Sequence, residues 1–228
     1  MKKTLLAAAL SFFAVLAFAQ DIQLHYDFVR ASNTGGPYFT STVEYLGIGD
    51  KGTTYFFIDM DYSSQQDGVS LLYWEISRDQ KISNLPVQLH VEFTSGNVIA
   101  NGQGFPIGRS YIFGISKGFS IGKLFFTGAL LYRDFEYTRK PNYQFTGVWS
   151  ANYFDDKFTI DGFIDIWTEE ITPNTGNRTI KVLTEPQFWY NFNKTWSVGG
   201  EIEISRNFIT IDNKFYFLPT FAVKVNLK

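Results

Sequence analysis

The chain has 228 residues, enough for one domain, and its formal net charge of −2 gives no electrostatic basis for a nucleic-acid partner. It contains no cysteine, which excludes disulfides, thiol chemistry and a lipid-modified cysteine anchor together. Aromatic residues make up 18% of it, with 24 Phe, 13 Tyr and 5 Trp, yet mean hydropathy is close to neutral.

In chain order, the first element is an export leader. Lys2 and Lys3 form a positive start, Thr4 to Phe18 is almost unbroken in its apolarity, and Ala17-Phe18-Ala19 places small residues at −3 and −1. This predicts a signal peptide over residues 1–19, cleaved after Ala19, because the apolar stretch is short for a membrane span of about 20 residues. Residues 20–228 form the remaining unit, and within them no stretch reaches the length of a membrane helix. Abundant aromatic surface with middling hydropathy is what alternating lipid-facing strands produce. Only a closed barrel crosses a bilayer without helices, since every backbone N–H and C=O must be paired there. A secreted β-sandwich would share the composition.

Period-two alternation recurs after the leader and predicts about twelve strands, near 22–30, 38–47, 54–62, 70–78, 86–94, 109–117, 123–133, 143–153, 158–168, 180–190, 196–205 and 215–227. The third sets Phe56, Ile58, Met60 and Tyr62 against Tyr55, Phe57, Asp59 and Asp61. The fifth sets Val87, Leu89, Val91 and Phe93 against Gln88, His90, Glu92 and Thr94, and the ninth sets Ile160, Ile164 and Ile166 against Asp161, Phe163, Asp165 and Trp167. Ile58 and Leu89 are thus assigned to lipid, and Asp59 and His90 to the interior.

The connections separate barrel from sandwich. Short polar turns at Gly49 to Gly52, Asp79-Gln80-Lys81, Gly118 to Gly122, Asp155 to Lys157 and Asn191 to Lys194 alternate with longer loops near 31–37, 63–69, 95–108, 134–142, 169–179 and 206–214. The expected fold is all-β: a closed antiparallel up-and-down transmembrane barrel of about twelve strands, with termini and turns periplasmic and loops extracellular. The expected setting is the outer membrane of a Gram-negative-type bacterium, as a monomer in contact with membrane lipid and lipopolysaccharide. One departure from the bacterial pattern is the ending Asn226-Leu227-Lys228, without a terminal aromatic residue.

The stretch Tyr55-Phe56-Phe57-Ile58-Asp59-Met60-Asp61-Tyr62, a Gly-containing loop, and Leu72-Tyr73-Trp74-Glu75-Ile76-Ser77-Arg78 resemble the early strand pair of Tsx-type nucleoside channels. Asp161-Gly162-Phe163-Ile164-Asp165 is similar to that family's later Gly-Phe-x-Asp strand, and Glu185-Pro186-Gln187-Phe188-Trp189-Tyr190 follows in order. The likeness is closer to compact Bacteroides-type relatives than to the enterobacterial channel. It implies a twelve-stranded monomeric barrel with a narrow pore that passes nucleosides. On the matching positions, Tyr55, Phe57, Asp59, Asp61, Tyr73 and Glu75 would receive base and ribose. This chain is shorter than the channel and its loops are trimmed.

The face opposite the apolar one collects Asp27, Glu44, Asp59, Asp61, Glu75, Glu92, Asp161, Asp165, Glu185, Glu201 and Glu203, with Arg133, Lys181, Lys224, His25 and His90. Turning a Lys or Arg to lipid near the midplane would cost about 2–4 kcal/mol, which forces that face inward. Two readings follow. The acids and bases pair into a plug, as small barrels are often filled, or the surplus carboxylates face water and solute. Tyr55, Phe57, Tyr73, Phe163, Trp167 and Trp189 could likewise stack on rings of a solute or merely fill space.

An enzymatic reading is weaker. His25-x-Asp27 and Asp59-x-Asp61 resemble the polar pairs of omptin proteases, but His25 is expected low on its strand and Asp61 high on its own. Two distant His are no metal-ligand set, and Gly102-x-Gly104 has no strand-to-helix context for a dinucleotide. The expectation is therefore a passive channel for small, nucleoside-like solutes without cofactor, the candidate wall being Tyr55, Phe57, Asp59, Asp61, Tyr73, Glu75, Asp161, Phe163, Asp165, Trp167, Glu185 and Trp189. The alternative is a closed structural or adhesive barrel.

Overall fold

Side chains alternate across a strand, so a sheet with unlike faces separates two environments, and it loses its edges only by closing on itself. In the computed structural model, which describes residues 20–29, 38–63, 68–138, 140–171 and 175–227, the sheet closes. The expected signal peptide lies outside the described residues.

The strands are β1 (Asp21–Asp27), β2 (Tyr38–Gly49), β3 (Gly52–Tyr62), β4 (Leu71–Lys81), β5 (Gln88–Ala100), β6 (Gln103–Ile121), β7 (Leu124–Phe135), β8 (Asn142–Tyr153), β9 (Phe158–Glu170), β10 (Arg178–Thr184), β11 (Gln187–Asn191), β12 (Trp196–Arg206) and β13 (Phe215–Asn226). All pairings are antiparallel, and β1 closes the ring on β13.

Thirteen segments occupy twelve positions, because β10 and β11 lie end to end between β9 and β12. The register does not slip across the break: Thr184 faces Ile164 and Gln187 faces Asp161, three residues along on each strand. The single expected strand 180–190 is interrupted by Pro186, which has no N–H to give the ladder. The Glu185 N–H still donates to the Phe163 carbonyl (3.1 Å), and the Ile202 N–H to the Pro186 carbonyl (3.1 Å). Gly162 faces this break with φ +146°, and a Cβ there would lie 2.5 Å from the Glu185 carbonyl oxygen.

The alternation of short and long connections holds, with one correction. The expected loop 95–108 is a hairpin that turns on Asn101-Gly102, both at positive φ (52° and 72°). Asn-Gly is the preferred pair for such a two-residue turn. This hairpin rises past its neighbours, since β4 begins opposite Val98 and β7 ends opposite Ser110. A bulge between Thr94 and Gly96 re-phases β6, so Ile107 above it and Ser110 below it share the inner face. Two turn assignments also move. Asp79, Gln80 and Lys81 belong to β4, with the turn at 82–87, and β6 runs through Ile121 so that only Gly122 and Lys123 turn.

The outer face is apolar over most of the wall, with Leu24, Phe113, Ile115, Leu130, Phe217 and Phe221 all exposed. Aromatic residues recur on it at two levels. Phe39, Tyr62, Tyr111 and Tyr143 stand near the loop end, and Tyr45, Phe119, Tyr153 and Trp196 near the turn end. Charge and hydrogen-bonding groups along the middle of the strands are collected inside, and Arg78 stands outward near the turn end.

Candidate functional site

Cross-strand register carries the inner face around the ring. Asp21, Glu44, Phe57, Glu75 and Thr94 are successive partners, and so are His25, Thr40, Asp61 and Leu71. The second row corrects the expected vertical separation of His25 and Asp61, which share one level two strands apart. The His25 ring turns away from Asp61: Nε2 meets Gln23 Oε1 (2.9 Å), and Nδ1 meets Thr220 Oγ1 (2.9 Å) with Glu201 Oε1 at 3.5 Å.

One wall of the interior is packed. Trp189 on β11 is 0% exposed, with the Lys224 ammonium 4.1 Å above its ring and His25 edge-on at 5.9 Å. Its indole N–H donates to Gln187 Oε1 (3.0 Å), and the Gln187 amide donates to Glu201 (3.1 Å). Lys224 reaches Asp161 on β9 at 3.8 Å, and the Gln23 amide donates to Asp21 at 3.1 Å. Lys224 of β13, carboxylates of β1, β9 and β12, and the Gln187 and Trp189 side chains of β11 thus interlock at the turn end.

A second cluster fills the wall of β4 to β6. His90 lies between Asp79 (2.9 Å) and Glu92 (3.1 Å), and the Ser116 hydroxyl also donates to Asp79. Higher up, Lys181 donates to Glu169 (2.6 Å), which also accepts from the Trp167 indole (3.1 Å). The Arg133 guanidinium sits 5.4 Å from the Trp167 ring and donates to Gln144 (3.0 Å). Thr146 donates to Asp165 (2.5 Å).

The wall of β3 and β4 differs. Tyr55, Phe57 and Tyr73 form a ladder of rings, with centroids 5.8 Å apart at each step, and all three keep part of their surface open. Carboxylates flank the ladder. Glu44 accepts from the Tyr55 hydroxyl (3.2 Å), Asp59 from Thr42 (2.6 Å), and Asp61 from Thr40 (2.7 Å). Glu75 stands directly across from Phe57. Glu92, Asp165, Arg133 and Asp59 are its charged neighbours, three acids and one base drawn from four other strands.

The structure therefore gathers Tyr55, Phe57, Asp59, Asp61, Tyr73 and Glu75 into one patch and places Asp165 across from it. Asp161 and Trp189 belong to the packed lysine wall, and Trp167 to the Arg133 and Glu169 group. Phe163 contributes its carbonyl, which accepts from the Thr184 hydroxyl (2.6 Å), and Glu185 stands in the break between β10 and β11. The sequence reading passed over Asp79 and Glu169, which it left in connections, and Asp21, which it left before the first strand. Their signal was parity, since each keeps the period of its neighbours once the strands are drawn at full length.

Solved structures share this fold, and two of them serve for comparison. One, described as "KdgM porin", superposes with a TM-score of 0.50 at 9% identity, over 91% of this chain and 99% of that one. Another, described as "NanC porin structure in rhombohedral crystal form", has a TM-score of 0.55 at 9% identity, over 91% and 98%. No curated protein matches the sequence. The family model described as "Domain of unknown function (DUF5020)" matches residues 19–227.

Proposed function

We propose that this chain, which belongs to the DUF5020 family, is an outer-membrane channel for the passive uptake of small solutes, with nucleosides as the leading class. In this reading the export leader is removed after Ala19. The mature monomer stands among lipid and lipopolysaccharide, with its turns in the periplasm. Support for the membrane setting is the closed ladder with an apolar outer belt, the only helix-free way to span a bilayer. The unheated protein should accordingly run faster on SDS gels than the boiled protein and fractionate with outer membrane. Equal mobility together with recovery in the soluble periplasm would count against that setting.

The observation that carries the solute class is the β3–β4 wall. An open ladder of three rings stands among Asp59, Asp61 and Glu75, while Lys224 and Lys181 are engaged elsewhere by Asp161 and Glu169. Fixed carboxylates in a confined lumen lower the energy of cations and raise that of phosphates. Flat ring faces suit a base or sugar. The resemblance of the same two strands to Tsx-type channels points to the same solutes.

Liposomes carrying the protein are expected to swell faster in uridine than in uridine monophosphate. Asp59→Asn with Asp61→Asn should narrow the difference, and Tyr73→Ala should slow uridine entry. Equal permeation of the two, or none, would defeat the nucleoside assignment. A second reading, a closed barrel without transport, draws support from the packed wall of Gln23, His25, Trp189 and Lys224. Complete absence of conductance in planar bilayers would favour it.

A further inference from the structure

At the turn end of the outer face, a pocket of about 460 Å³ opens between β2, β3 and β4. Its walls follow from register. Gly47 faces Thr54, Thr54 faces Arg78, and all three lie on the outward face opposite Leu46, Tyr55 and Ser77. The hollow exists because three wall positions, Gly47, Gly49 and Gly52, are glycines. Gly49 carries no side chain, and a Cβ on Gly47 would lie 2.4 Å from the Tyr45 hydroxyl, so the tyrosine ring folds over the gap. Tyr45 stacks on Phe56 (5.9 Å, 28°), which holds the ring in that position.

The floor of the pocket is cationic. Arg78 is an outward-facing arginine three residues, roughly 10 Å of strand, from the end of β4. Its guanidinium donates to Thr54 Oγ1 (2.9 Å) and, through Nε and Nη2, to Gln80 Oε1 (3.3 and 3.0 Å). All these partners are neutral oxygens, and a guanidinium has five N–H donors, so two remain to offer. Asp79, the next residue, points to the other face and is engaged by His90 and Ser116. Lys51 adds a second ammonium from the β2–β3 turn, and Asp50 beside it is the one carboxylate lining the pocket. The Lys51 carbonyl accepts from the Gln80 amide (2.8 Å) and the Lys81 N–H (2.9 Å), which ties the turn to β4.

An arginine pre-set by neutral partners on the wall of a glycine-lined hollow, at the turn end of the apolar outer face, is built to meet an anion with an apolar tail. We propose that this pocket holds the phosphate of a phospholipid headgroup from the periplasmic leaflet, gripped by Arg78 and Lys51, with the acyl chains lying along Tyr45 and Phe56. The assignment rests on the membrane setting given above, but not on the solute.

The full chain, refolded in neutral detergent micelles, is mixed with dioleoyl phosphatidylglycerol or with dioleoylglycerol, which has the same tails and no phosphate. Native mass spectrometry then counts the lipid retained. Wild type should keep the phosphatidylglycerol in clear preference, and excess inorganic phosphate should not displace it. Arg78→Gln should weaken retention about tenfold, the loss of one charge-assisted hydrogen bond. Lys51→Ala, which removes the ammonium and keeps the backbone carbonyl that Gln80 and Lys81 bond, should weaken it less. Equal retention by wild type and both variants, or of both lipids, would overturn the proposal, and displacement by inorganic phosphate would reassign the pocket to the free ion. Heat-shifted, conducting protein without lipid preference would sink this proposal alone. Heat-shifted protein that keeps the lipid but never conducts would sink the channel and leave the pocket standing.

Discussion

Leu130→Arg is expected to lower folding stability in lipid vesicles by about 2–4 kcal/mol. Leu130 is 64% exposed at the middle of β7, and its neighbours Ala129 and Leu131 are both 4% exposed on the inner face. In water an exposed leucine accepts arginine within about 0.5 kcal/mol. In a bilayer the guanidinium must leave water, and at mid-strand it cannot reach the headgroups. The adjacent Leu131, packed on Ile112 and Ala129, should lose about 2–5 kcal/mol on change to alanine, by the different route of a cavity. Ile58→Arg should behave as Leu130→Arg does, since Ile58 is central on β3. Leu89 also faces outward but stands beside the start of β5, where the cost falls to about 0–1 kcal/mol. Urea titration of the four variants separates these cases. A Leu130→Arg protein as stable as wild type would mean that the outer face meets water.

Trp189→Ala should cost about 3–5 kcal/mol and should also widen the lumen. The indole is fully covered, so its removal leaves a void lined by polar groups. Lys224 loses the ring beneath it, Gln187 loses a donor, and His25 loses its edge contact. Water can fill such a void because it is lined by hydrogen-bonding groups, which apolar cavities lack. Single-channel conductance is therefore expected to rise above wild type, while stability by urea titration falls. Stability lost with conductance unchanged would place the narrowest passage away from Trp189.

Faces were legible in the sequence because strand periodicity is strict and the cost of a charge in lipid is high. Phe57, Asp59, Glu75 and Asp165 could be assigned inward from parity alone, as could Ile58 and Ile166 outward. Strand ends were less legible. The Asn101-Gly102 turn sits within a stretch rich in Gly and Asn whose β5–β6 pairing, with its bulge, is only visible once both strands are extended. Asp79 reads as turn chemistry until His90 is found opposite it.

What the tertiary structure alone decided is which inner residues are spent on packing and which remain open. Lys224 could have neutralised any of the inward acids. It lies over Trp189 and beside Asp161 because β11 and β9 are the second and third strand positions from β13, where the curved wall turns their inner side chains toward it. That choice leaves Asp59 and Asp61 accepting from threonine hydroxyls and Glu75 among other acids, with Arg133 as the base beside it. Local sequence specifies a side chain's face, because alternation is a property of one strand. Its partner across the lumen depends on ring closure and register, which are properties of all twelve positions together.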